Sequence, residues 1–257
     1  MIGWRARLGI IIPSVNGTTE SEFFRCLPDG VSAHFTRMEF SATTPEQYEG
    51  MLADVPSGAR MLSHAHVTAL MFACTSGSFY GGLGYDQKVI SILREQCNVP
   101  CSTTSTAAVK AFRAVGAKKI AMATPYQDWV NKKEKDFFEG SGFQVVNEAG
   151  LGLTGFDVCE LHPETFYSFA KSQDRPNADI LFLSCMGLRT LEILPRLEQD
   201  LGKPVLSSNQ VSLWELLNLA GLPTDIITRD FGSLFKLGHG RVEIDRSPVN
   251  QVERTAA

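Results

Sequence analysis

The sequence predicts an α/β protein built from two similar parallel-sheet lobes, with a cleft between them, on three observations. Short continuous apolar runs alternate with helical periodicity along most of the chain, the pattern of a parallel sheet covered by helices. Two of those runs end alike: residues 67–72 lead into Cys74-Thr75-Ser76-Gly77, and residues 179–184 lead into Cys185-Met186-Gly187. The landmarks also recur at one offset. Pro13 and Pro125, each closing an apolar run, lie 112 residues apart (125 − 13), and the two cysteines lie 111 apart (185 − 74). A duplication with a pseudo-two-fold axis accounts for this and turns the cysteine loops towards each other. The expected division is residues 1–116, residues 117–236 and a polar tail at 237–257, with the last helix (about 211–236) able to pack back on the first lobe.

Residues 7–12, apolar from Leu8 on, form the first strand, closed by the turn-rich Pro13-Ser14-Val15-Asn16-Gly17. Residues 20–26 follow as a helix with acidic residues in its first turn, which suits the helix dipole. Residues 31–39 alternate and form a strand. Thr44-Pro45-Glu46 starts a long helix, expected over 45–64. After the 67–72 strand come a helix at 85–97, a short strand at 100–104 and a helix at 106–115 stopped by Gly116. The second half repeats the alternation: strand 119–123, helix 127–140, a strand within 142–149, helix 165–173, strand 179–184, helix 194–201, strand 204–208 and helix 211–221.

Composition excludes several function classes. A net charge of -4 with 20% charged residues offers no basic surface for nucleic acid. No apolar stretch reaches the roughly 18–20 residues of a membrane helix. The run at 8–12 is too short for a secretory core, so a reduced, cytoplasmic protein is expected. Cys97 and Cys101 are not spaced as Cys-x-x-Cys and have no histidine beside them, which argues against zinc. Neither a metal ligand set nor a phosphate-binding glycine motif is present, so no cofactor is expected.

The chemistry therefore centres on Cys74 and Cys185. A thiol at a strand-to-helix junction is expected to have its pKa drawn down towards neutrality, where it acts as base or nucleophile. Two facing thiols make a two-base pair: one removes a proton from carbon, and the other delivers one to the opposite face. The enediolate between them needs donors aimed at its oxygens. Thr75, Ser76, Tyr126 and Asn16 are suitable, and Pro13, Ser14, Met186 and Gly187 complete the candidate substrate-binding set. Cys26, Cys97, Cys101 and Cys159 lack such a context and read as structural.

Five stretches resemble the aspartate/glutamate racemase superfamily, in its maleate cis–trans isomerase and arylmalonate decarboxylase branch. They are Ile12-Pro13-Ser14-Val15-Asn16, Cys74-Thr75-Ser76-Gly77-Ser78-Phe79-Tyr80, Thr103-Thr104-Ser105-Thr106-Ala107, Ala123-Thr124-Pro125-Tyr126 and Leu183-Ser184-Cys185-Met186-Gly187-Leu188. The resemblance implies a two-lobed pseudo-dimer with cofactor-independent chemistry in the cleft. Isomerases and racemases of the superfamily carry both cysteines, whereas the decarboxylases keep the second and have glycine at the first. Cys74 therefore points to two-thiol chemistry. The Asn16 loop is similar to that of maleate isomerases. In contrast, Ser78-Phe79-Tyr80 and Leu206-Ser207-Ser208 are similar to the decarboxylases, and the 150–157 loop lacks the Asp-Asn pair of the maleate isomerases.

Three functions follow: an isomerase or racemase of a small carboxylate or dicarboxylate, a decarboxylase in which Cys185 protonates the enediolate, and a non-catalytic small-anion binder. The sequence leaves a homo-oligomer open.

Overall fold

The computed structural model describes residues 2–237; the expected tail at 237–257 lies outside them beyond its first residue. Each half builds one four-stranded, all-parallel sheet. The first holds β1 (Ala6–Pro13), β2 (Val31–Met38), β3 (Ala69–Phe72) and β4 (Cys101–Thr103), in the order β2-β1-β3-β4. The second holds β5 (Lys119–Thr124), β6 (Gln144–Gly150), β7 (Ile180–Leu183) and β8 (Val205–Ser207), in the order β6-β5-β7-β8. The same order twice is the duplication read from the offsets. The central strands are apolar because helices cover both faces; β3 and β7 are buried at every position.

Helices α1 (Thr19–Cys26), α2 (Pro45–Gly50), α3 (Val55–His64), α4 (Thr75–Phe79), α5 (Tyr85–Gln96) and α6 (Thr104–Ala114) accompany the first sheet. Helices α7 (Asp128–Gly140), α8 (Asp157–Glu160), α9 (Pro163–Gln173), α10 (Leu194–Leu201) and α11 (Ser208–Leu219) accompany the second. One helix expected over 45–64 is in fact two, joined by a 3-10 turn at Met51–Ala53. Pro56 causes the break: it has no N–H to donate and its ring clashes with the preceding turn, so it fits only the first turn of a new helix. The strand expected from 67 begins at Ala69, because His66 turns the chain at φ 52°. Helices α6 and α11 start earlier than expected, on Thr103 and Ser207, whose hydroxyls accept the N–H groups of Thr106 and Gln210.

Helix α11 lies against α6 as well as β8, so it joins the two halves. Its residues from Ser208 to Asn218 are all buried, polar ones included. Ser212 Oγ donates to Thr104 Oγ1 (3.1 Å), and Lys110 pairs with the buried Glu215 carboxylate at 2.5 Å. One apolar core runs through both sheets, and a second fills the space under α2, α3 and α5.

Candidate active site

The carboxyl ends of β1, β3, β5 and β7 converge on one cavity, where parallel α/β sheets bind ligands. Pro13 ends β1, and Asn16 comes from the loop after it. Cys74, Thr75 and Ser76 come from the β3–α4 junction, Tyr126 from the loop after β5, and Cys185, Met186 and Gly187 from the loop after β7. The structure thus brings together all the candidate residues except Ser14. That side chain is exposed, and its hydroxyl is engaged with the backbone of Phe40, donating to O (3.2 Å) and accepting from N (3.1 Å).

Cys74 caps α4 with its own sulfur, which accepts the Gly77 N–H at 3.3 Å and lies 3.9 Å from Ser76 Oγ. Residue 77 must be glycine for this turn: a Cβ there would fall 2.5 Å from Met51 Sδ and 2.9 Å from Cys74 Sγ. Across the cavity, Cys185 Sγ accepts the Gly187 N–H at 3.4 Å. Its backbone is strained, with φ at 127°, a region costly for a side chain with a Cβ and held only by surrounding contacts. One such contact is Ser208 Oγ, which accepts the Cys185 N–H (3.0 Å) and also the Thr75 hydroxyl (2.9 Å). A single residue of α11 therefore ties the two cysteine loops together.

Electrostatics correct one expectation. Neither thiol is drawn towards neutrality. Burial pushes Cys74 up to about 11, against the lowering effect of the Gly77 N–H and the Ser76 hydroxyl. Cys185 faces the cavity with part of its surface, yet burial pushes it up to about 12, against the Gly187 N–H and Tyr126. Desolvation of the charged form outweighs the strand-end donors at both positions. Both groups are neutral thiols at pH 7.

The candidate donors differ in readiness. Tyr126 is buried, and its hydroxyl makes no close hydrogen bond among the described residues but is near enough to Cys185 to donate to its thiolate; its pKa lies well above the ordinary tyrosine value because of burial and the neighbouring Cys185. Thr75 already donates to Ser208. Asn16 Oδ1 accepts the N–H groups of Thr18 (2.9 Å) and Thr19 (3.0 Å), so it starts α1; its amide donates once to Thr19 Oγ1 (2.9 Å), leaving one hydrogen.

Several residues of the site are not legible in the sequence. Val15, Phe40, Thr43, Gly155 and Val158 make the rest of the wall, largely apolar, and among the described residues no Lys, Arg or His lines it. Cys159, read as structural, is on that wall, held by the Gly17 N–H (3.4 Å) and Val15 O (3.8 Å). Tyr48 lies buried beside Ser76, which its hydroxyl faces, and burial raises its pKa well above the ordinary tyrosine value. Two buried carboxyls brace the loops. Glu22 of α1 accepts the N–H groups of Thr190 (2.6 Å) and Leu191 (2.9 Å) and the Asn209 amide (2.7 Å), and burial raises it to about 7. Glu134 of α7 accepts from Ser184 Oγ (2.5 Å), next to Cys185; its second oxygen has no partner, and burial raises it to about 8. Among the described residues no cluster of three or more His, Cys, Asp or Glu gathers as a metal site would.

Residues 8–235 match the family model described as arylmalonate decarboxylase. The chain belongs to that family. It is 30% identical over 217 residues to the arylmalonate decarboxylase of Bordetella bronchiseptica, covering 83% of this chain and 90% of that protein. A liganded double mutant of arylmalonate decarboxylase, in which a glycine is replaced by cysteine and a cysteine by serine, superposes with a TM-score of 0.83 (28% identity, 90% of this chain and 98% of that chain). The maleate cis–trans isomerase of Nocardia farcinica, as a Cys-to-Ser mutant holding a covalently bound succinylcysteine intermediate, gives 0.85 (25% identity, 90% and 98%). The relatives are thus enzymes of two reaction types, and cysteine is the group that carries the covalent intermediate in the isomerase.

Proposed function

We propose that this chain is a cofactor-independent isomerase or racemase of a small carboxylic acid, with Cys74 and Cys185 transferring protons at the α-carbon from opposite faces. The observation that carries the reading is the placement of both thiols, from matched strand ends, on one cavity that also receives the unpartnered Tyr126 hydroxyl. The substrate carboxylate would meet that hydroxyl, Ser76 and the N–H groups of Thr75 and Ser76. These open α4 and have no acceptor within the helix. Such donors stabilise an enediolate more than a carboxylate, because charge moves onto those oxygens as the bond to carbon breaks. The remaining wall is largely apolar and, among the described residues, carries no cation. It suits an acid with one carboxylate held by the donors and an apolar group at the α-carbon better than a second, widely separated carboxylate as in maleate.

The same apolar wall favours a second reading, a decarboxylase. A malonate carboxylate placed against it would be poorly solvated and would leave as carbon dioxide, with Cys185 protonating the enediolate. Incubation in deuterated water with a panel of α-substituted acids and malonates, followed by NMR, separates the readings. Deuterium at the α-carbon of a recovered acid supports the racemase; loss of carbon dioxide supports the decarboxylase. Neither change, with tight binding of the acid, would leave an anion binder.

A further inference from the structure

Two cysteines far from the cavity form a site of their own. Cys97 ends α5, Cys101 opens β4, and their sulfurs lie 3.8 Å apart within S–H···S reach. Each also lies 3.2 Å from a backbone carbonyl, Cys97 from Leu93 O and Cys101 from Val99 O. Both are buried at the edge of the second apolar core, and the turn that joins them, Asn98-Val99-Pro100, has Asn98 and Pro100 exposed. Neither lines the active-site cavity. Because β4 runs parallel to β3, Cys101 pairs with Leu70, at the end of the sheet opposite Cys74.

We propose that Cys97 and Cys101 are a redox-active dithiol, oxidised by small disulfides such as glutathione disulfide to an intramolecular disulfide while the active-site thiols are spared. The sulfurs need to close from 3.8 Å to the roughly 2.05 Å of a disulfide. The pair also divides the labour of thiol exchange. The contact with Cys101 draws the Cys97 thiol below its ordinary value, so Cys97 is the attacking thiolate. The exposed Arg94, one turn earlier, is the nearby cation. Cys97 attacks one sulfur of glutathione disulfide and expels the first glutathione; Cys101 then attacks Cys97 and expels the second. The protein loses two electrons and two protons, and the glutathione disulfide becomes two glutathione molecules. This proposal is independent of the reaction in the cleft.

The full chain is incubated with glutathione disulfide alongside a free cysteine peptide, quenched with iodoacetamide and digested with trypsin. Cleavage after Arg94 and Lys110 leaves both cysteines in one peptide, residues 95–110. The expected result is that this peptide loses both alkylation sites and becomes lighter by two hydrogens, while Cys74 and Cys185 remain alkylatable after unfolding. In Cys101→Ser the same peptide is expected to hold one glutathione on Cys97 that does not resolve. The proposal is overturned if, once the free peptide is oxidised, wild-type 95–110 still carries two alkylated cysteines. It is equally overturned if Cys97 is found bonded to any other cysteine or as a stable glutathione adduct. Wild-type mapping decides the matter even if the serine variant does not fold.

Discussion

Replacing Glu134 by glutamine tests whether a buried carboxyl under the Cys185 loop is held neutral. Its folded value is about 8, against an ordinary 4.5. A raised value means that the folded state favours the protonated acid. Its stabilising contribution is therefore complete below pH 4.5, falls as the unfolded chain ionises, and is lost once pH passes the folded value. The shift of 3.5 units (8 − 4.5), at 1.36 kcal/mol per unit, is worth ~5 kcal/mol in total. By the same linkage about 4 kcal/mol of it falls between pH 5 and pH 9. Glutamine keeps an oxygen for the Ser184 hydroxyl and does not titrate. Glu134→Gln is thus expected to gain on wild type by ~4 kcal/mol between pH 5 and pH 9 in urea unfolding. Glu22, with a folded value of about 7, titrates in both proteins and cancels from the difference. A difference between the two proteins that stays constant with pH, within about 1 kcal/mol, would refute a neutral Glu134.

Cys74→Ala and Cys185→Ala are each expected to abolish racemisation while circular dichroism stays native; near-full activity in either would end the two-base mechanism. Cys74→Gly, which reproduces the decarboxylase pattern, should lose racemisation and keep any decarboxylation, read as carbon dioxide release from malonates. Tyr126→Phe removes a donor without a structural partner, so kcat should fall roughly 10²–10³-fold with little change in KM or Tm. A lowered Tm with unchanged kcat would return the residue to the core. With Cys74 at about 11, its thiolate fraction rises tenfold per pH unit below that value, so kcat/KM should climb with near-unit slope above pH 7. A plateau at neutral pH would show that a thiolate is already formed there.

The strands and the two cysteine loops were legible because they follow local rules. Fully buried parallel strands leave unbroken apolar runs, and a strand end followed by small hydroxyl residues and glycine marks a binding loop. The 45–64 helix failed on a local rule given too little weight, since Pro56 was present in the sequence. The rest of the site is nonlocal. Ser208 joins the cysteine loops from 133 residues after Thr75, and Glu22 meets Thr190 from 168 residues away. Helix α11 carries Asn209, Gln210, Ser212 and Glu215, the composition of a solvent face, yet it is buried throughout because both lobes close on it. No periodicity could reveal that. The direction of the thiol pKa was misjudged for the same reason: strand-end donors are visible in sequence, but the depth of burial is not.

That burial has a mechanistic consequence. A cavity lined, among the described residues, by neither Lys, Arg nor His has little means there of balancing negative charge. Each thiolate also makes the other harder to form, as the Cys74 charge does for Cys185. Two thiolates are therefore excluded in the working pH range, and the accessible charged state has one thiolate facing one thiol. In the proposed two-base reaction this would be the asymmetry that proton transfer across an α-carbon requires: a base on one face and an acid on the other, exchanged after each turnover. Forming the thiolate at Cys74 from pH 7 costs about 5 kcal/mol, four units at 1.36 kcal/mol each. That cost is partly offset in the reaction itself, because a thiolate with a value near 11 is a stronger base towards carbon than one near 7. The strain at Cys185 and the shared Ser208 hold the two sulfurs on the same cavity. The structure thus supplies position, and in the proposed reaction the proton is divided between the two sulfurs.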